Sequence, residues 1–164
     1  PYAALAYRSP ALLLHKEYTM KILLAVDGSK FTTKAVNFLT KHIADFKGGV
    51  DLHLLHVKAP IPSGLAVHGA RAFLGGDTVS NYYREEAEAA LSVAEKLLRK
   101  KQLVFQSGYT VGDAPSEIDK YAKKNKIDLI VMGSHGHSAI GSIFLGSVTS
   151  KVLATSSVPV LIVR

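Results

Sequence analysis

Leu129-Ile130-Val131-Met132 runs directly into Gly133-Ser134-His135-Gly136, and nine residues later the chain reads Gly146-Ser147. The four apolar residues form an unbroken run that stops at a glycine, as a strand covered on both faces should. Val148 to Ala154 then reads as a short helix. A strand, a glycine-rich loop and a helix start in succession define an α/β unit. In such a unit backbone N–H groups at the helix entrance can face an anion. Phosphate binding is therefore the first functional expectation.

The same alternation repeats outward from this unit. Ile22-Leu23-Leu24-Ala25-Val26 is continuous and apolar, and Asp27 ends it. Phe31, Ala35, Phe38, Leu39, Ile43 and Phe46 recur at helical spacing, and Gly48-Gly49 stops that helix. Leu52, Leu54, Leu55 and Val57 make a second strand. Residues 58–78 carry Pro60, Pro62, Gly64, Gly69, Gly75 and Gly76 and read as a long, functional or mobile loop. Val79 to Lys101 reads as a helix with Ala87, Ala90, Leu91, Ala94, Leu97 and Leu98 on its apolar side. Leu103 to Val111 carries Gln106, Ser107 and Gly108 and suits a sheet edge. Asp113-Ala114-Pro115 opens a third helix, and Val158 to Val163 is the last strand.

Strands alternating with helices predict a Rossmann-like, doubly wound, five-stranded parallel sheet with helices on both faces, in the order 3-2-1-4-5. Ligands of such sheets sit beyond the carboxyl ends of the strands where the winding reverses. That reversal falls between the first and fourth strands. Asp27 and Gly133, distant in sequence, are thereby expected side by side.

The loop does not fit the common phosphate motifs. Gly141 and Gly146 have P-loop spacing, but Ser147-Val148 stands where Lys-Ser/Thr is required, and no G-x-G-x-x-G occurs. Instead, Gly133-x2-Gly136-x9-Gly146-Ser147 resembles the nucleotide-binding motif of the universal stress protein family, specifically its ATP-binding branch. Further segments share the resemblance: Lys21 to Ser29, Leu54-Leu55-His56-Val57, Val111-Gly112-Asp113-Ala114-Pro115, and Val158 to Val163. Together they cover Met20 to Arg164. Residues 1–19 read as an extension upstream of a natural start at Met20, foreign or without fixed structure. An N-terminal strand or a partner-binding arm is the alternative.

The resemblance implies a cytoplasmic stress-response module that binds ATP, with any Mg2+ or Mn2+ held mainly by the phosphates. It places phosphates along Gly133, Gly136, Gly146, Ser147, Val148 and Thr149. It places adenosine near Ala25, Asp27 and Val57, with Met132 beside Gly133. The glycines would let the backbone turn tightly and approach a phosphate. Ser147 would cap the last helix or turn its hydroxyl to a phosphate, and Thr149 would add a second hydroxyl. Asp27 suits a ribose or base donor, or alternatively a cap on the first helix. His135 and His137 read as loop donors or, alternatively, as acid/base or metal groups. The resemblance also implies a homodimer through Val160 to Val163, whose apolar edge would otherwise be exposed.

Composition narrows the alternatives. The 164 residues suit one domain, with no cysteine for disulfides or thiolate metal sites. No apolar run approaches the ~20 residues of a membrane span. The net charge of +7 sits largely in Lys96, Arg99, Lys100 and Lys101 and in Lys120, Lys123, Lys124 and Lys126. Both clusters fall at expected helix ends, where cations complement the dipole. Neither is interleaved with stacking aromatics, which weakens the alternative of a nucleic-acid binder, while a polyanion could still be drawn nonspecifically to such a surface. A slow ATPase or phosphoryl-transfer enzyme is the other alternative, with no dedicated catalytic residues found for it.

Overall fold

The computed structural model describes residues 19–46, 48–61, 65–137 and 144–164, with residues 65–78 described by their backbone alone. Its elements are β1 (Met20–Val26), α1 (Lys30–His42), β2 (Val50–Lys58), α2 (Leu65–Lys100), β3 (Phe105–Val111), α3 (Ala114–Asn125), β4 (Leu129–Gly133), α4 (Ser147–Thr155) and β5 (Val160–Val163). The five strands are parallel and ordered β3-β2-β1-β4-β5. This is the expected doubly wound sheet, with β3 and β5 at its edges. Most of the suspected upstream extension lies outside the described residues.

Alternation along each strand explains the two layers. Ile22, Leu24, Val26, Leu52, Leu54 and Val131 point to one face and pack with Ala35, Val36 and Leu39 of α1 and Leu91, Ala94 and Leu98 of α2. Leu23, Leu55, Ile130 and Met132 point to the other and meet Ile118 and Ala122 of α3 and Val152 of α4. Strands buried on both faces need no polar alternation, which is why β1 and β4 are continuous apolar runs. His53 and His56 take opposite faces of β2, as their spacing requires. His53 lies against the Tyr121 hydroxyl at 3.0 Å, and His56 Nδ1 donates to the Val26 carbonyl at 2.9 Å.

Local signals set the element ends. Ser29 caps α1, its hydroxyl accepting from the amides of Phe31 (3.2 Å) and Thr32 (3.3 Å). Asp113 caps α3 by accepting from the Ser116 amide. Gly48 and Gly49 sit at φ +85° and +88°, where a side chain would be strained, and end the first crossover. Because Ser29 is buried and holds two first-turn donors, Ser29→Ala is expected to cost about 1 kcal/mol in urea unfolding. Wild-type stability in that variant would show that the cap contributes nothing.

One segment departs from the sequence reading. Residues 65–78, expected to be loop, are the first turns of α2. Three glycines marked the segment as irregular, yet each costs a helix only about 1 kcal/mol. Extending an established helix is cheaper than starting one. α2 is anchored downstream by Ala87, Leu91, Ala94 and Leu98, and it propagates back through Leu65, Ala66, Ala70, Arg71, Ala72 and Leu74.

Candidate functional site

β1 and β4 pair as far as Ala25 and Met132, and beyond that pair the chain leaves them in opposite directions. A cavity of about 200 Å³ opens there, at the reversal of winding. All ten residues expected at the site line it: Ala25, Asp27, Val57, Met132, Gly133, Gly136, Gly146, Ser147, Val148 and Thr149. Val26, Thr32, Leu55, Ala114, Ile118 and His135 line it too. Leu55 was legible in principle, being two residues before Val57 and so on the same face of β2. Ala114 and Ile118 are four apart at the start of α3, which turns one face to the cavity. Nothing in the sequence marks Thr32.

The cavity has two chemical ends. Ala25, Leu55, Val57, Ala114, Ile118 and Met132 make an apolar slot. Asp27, Gly136 and the start of α4 make a polar end. The carboxylate of Asp27 is held in place: Oδ1 accepts from the Ser29 amide (3.0 Å) and the Thr32 hydroxyl (2.7 Å). Ser29, rather than Asp27, caps α1, so the capping alternative for Asp27 does not hold.

The three loop glycines serve close approach, and none has a positive φ. A Cβ on Gly133 would lie 2.6 Å from Phe31 Cβ and 2.9 Å from its carbonyl oxygen. Gly133 therefore lets the first turn of α1 rest on the end of β4. A Cβ on Gly146 would come within 3.2 Å of His135 Cα. Only at Gly136 does the missing side chain open space toward the cavity, its Cβ position lying 2.8 Å from Asp27 Oδ2. The expectation of tight glycine turns gives way to this packing explanation.

The start of α4 also corrects the expected roles. Gly146 is its N-cap, and among the described residues no side chain caps the helix. Ser147 is the first helical residue, exposed on the cavity rim, so it is not the cap. The Thr149 hydroxyl is buried and donates to the Gly133 carbonyl at 3.1 Å. α1 and α3 spend a side chain on their first-turn amides, whereas α4 presents those of Ser147, Val148 and Thr149 to the cavity.

Both loop histidines act as pins. His135 Nε2 donates to the Phe144 carbonyl, its Nδ1 accepts from the Ser134 hydroxyl at 3.0 Å, and its ring lies 5.0 Å from that of Phe31. His137 Nε2 donates to the Asp27 carbonyl at 2.8 Å. The Ser134 amide donates to Val163 at 2.8 Å, tying the loop to β5. Among the described residues no three His, Asp or Glu side chains form a metal-binding group. Near the site, the Ser116 hydroxyl and amide hold Asp113 below the usual carboxylate range. Lys58 and Glu86 pair at the end of β2, the hydrogen bond raising the lysine and lowering the carboxyl.

The basic clusters close the ends of α2 and α3, with Arg99 near Glu95 (3.6 Å) and Lys123 on Asp119 (2.6 Å). No helix among the described residues is long and apolar enough to cross a membrane.

The model of the Universal stress protein family matches residues 19–164. Universal stress protein YxiE of Bacillus subtilis is 34% identical over 88% of this chain and 98% of its own length. Universal stress protein Slr1230 of Synechocystis is 32% identical over 94% of this chain, which spans 47% of that relative. The solved structure of MJ0577 from Methanocaldococcus jannaschii is 30% identical and superposes with a TM-score of 0.69, over 88% of this chain and 94% of that one. A universal stress protein from Archaeoglobus fulgidus, solved in complex with dAMP, shares the fold at 22% identity and a TM-score of 0.61, over 88% of this chain and 98% of that one.

Proposed function

The chain belongs to the universal stress protein family, and from that premise we propose that it is an ATP-binding module whose site is the cavity between β1 and β4. The observation that carries the proposal is the uncapped start of α4, aimed into a cavity with an apolar slot at its other end. First-turn amides without a side-chain partner among the described residues, together with the positive end of a helix dipole, favour a phosphate there. Gly133, Gly136 and Gly146 keep the approach short, and Ser147 adds a hydroxyl at the rim. The slot of Ala25, Val57 and Met132 receives the adenine, and Asp27 accepts from the ribose. The dAMP-bound Archaeoglobus protein supports an adenine nucleotide as the ligand class.

None of the described lining residues is Lys or Arg, and Asp27 is the sole carboxylate among them. A divalent ion such as Mg2+ or Mn2+ would therefore be held mainly by the phosphates themselves. The same lining favours holding ATP over splitting it, because phosphoryl transfer needs a cation clamp and a base or positioned water. The bound nucleotide then biases shape or partners through its differential affinity for two states. The proposal extends to a cytoplasmic homodimer in which the half-buried edge of β5, Val160–Val163, meets its copy.

Chromatography of small molecules released by denaturing the purified protein tests the proposal. An adenine nucleotide is expected at about one per chain, or after loading with ATP. Failure to recover any, together with calorimetric titrations showing no heat with ATP, ADP or AMP, would overturn it.

A further inference from the structure

Thr32 is a buried hydroxyl in the first turn of α1, 2% exposed, that the capping of that helix does not use. It makes two bonds to one residue. Its hydroxyl donates to Asp27 Oδ1 at 2.7 Å and accepts from the Asp27 amide at 3.1 Å. The Ser29 amide supplies a second donor to the same Oδ1 at 3.0 Å. One carboxylate oxygen is thus committed to the protein. The other, Oδ2, faces the cavity across the gap left by Gly136. A carboxylate oxygen has two lone-pair sites and accepts only. An oxygen fixed in direction, with both sites open among the described residues, matches a pair of adjacent hydroxyl donors.

We infer that Thr32 is a positioning residue: by locking Asp27 Oδ1 it aims Oδ2 at the vicinal diol of a ribose and gives the site a preference for ribonucleotides over 2′-deoxyribonucleotides. The inference rests on the reading of this cavity as an adenine-nucleotide site and adds a selectivity to it. Without the Thr32 hydroxyl the carboxylate turns more freely about its terminal torsion, and the alignment of Oδ2 is lost. Hydrogen bonds to charged groups are the stronger class, so losing one hydroxyl from the ligand is expected to weaken binding about tenfold. A preference of that size still permits deoxynucleotide occupancy at high concentration.

The test measures dissociation constants of ATP, 2′-deoxy-ATP and inorganic tripolyphosphate for the wild-type chain, Thr32→Val and Thr32→Ser. Valine keeps the shape and removes both hydrogen bonds, whereas serine keeps both. The wild-type chain is expected to favour ATP over 2′-deoxy-ATP about tenfold. In Thr32→Val, ATP weakens about tenfold and the ratio of the two nucleotides falls toward one, while tripolyphosphate changes less than twofold. Thr32→Ser restores the wild-type ratio even if its melting temperature differs. A Thr32→Val chain that binds all three ligands more weakly at an unchanged ratio would show a merely structural threonine and overturn the inference. Equal binding of ATP and 2′-deoxy-ATP by the wild-type chain would overturn it alone, leaving the nucleotide site standing. Binding of none of the three would overturn both.

Discussion

Gly136→Trp should leave the fold standing and abolish nucleotide binding. Residue 136 is half-buried, and among the described residues a Cβ built there meets only Asp27 Oδ2, at 2.8 Å. A side chain at this position therefore points into open cavity. An indole would fill the space between Asp27 and the start of α4, the two groups proposed to hold the ribose and the phosphates. The expected loss in ATP affinity is at least about a hundredfold, or roughly 2.7 kcal/mol. The melting temperature should change little, because no backbone has to move.

Calorimetric titration and the nucleotide content of the purified variant measure this directly. Gly136→Ala provides a graded control: one methyl group must push the carboxylate aside, so an intermediate loss near tenfold is expected. ATP bound to Gly136→Trp with wild-type affinity would place the nucleotide elsewhere on the molecule. The same variant separates holding from hydrolysis. Rapid phosphate release by the wild-type chain, lost in Gly136→Trp, would make the cavity a catalytic site and replace the binding-module reading.

The contrast between Gly136 and Gly133 shows how far the sequence carries and where it stops. β1, β2 and β4 are legible because a strand covered on both faces must be apolar at every position. Their order then brings Asp27 and Gly133 to one place. The ten expected residues converge on the cavity because motif spacing and topology point to the same loop. The reasons for individual residues are less legible, because they depend on atoms from other elements. Gly133 is glycine on account of Phe31, about a hundred positions away. Ser147 loses the capping role to Gly146 because the helix begins one residue earlier than its apolar pattern. Thr32 is invisible as a site residue, since its partner is the carboxylate five residues before it across a turn. Residues 65–78 of α2 are hidden by glycines whose cost is too small to break a helix with a strong packed anchor downstream.

Gly133→Ala should cost the fold about 3 kcal/mol, the upper part of the overpacking range, whether or not nucleotide is present. The added Cβ would sit 2.6 Å from Phe31 Cβ, 2.8 Å from its carbonyl carbon and 2.9 Å from its carbonyl oxygen. Two of these three atoms are backbone in the first turn of α1, so no rotamer change relieves the contact. The turn cannot retreat cheaply either, because Ser29 and Thr32 tie it to Asp27 and Ala35, Val36 and Leu39 bury its helix against the sheet. Urea unfolding should show a lower midpoint at an unchanged slope, the signature of lost stability without a new denatured state. Gly136→Ala, which meets a single side-chain oxygen and no backbone atom among the described residues, should lose less than about 1 kcal/mol in the same experiment. If the two alanine variants are equally stable, Phe31 does not press on the end of β4. Gly133 would then be glycine for the ligand, as its place in the loop motif first implied.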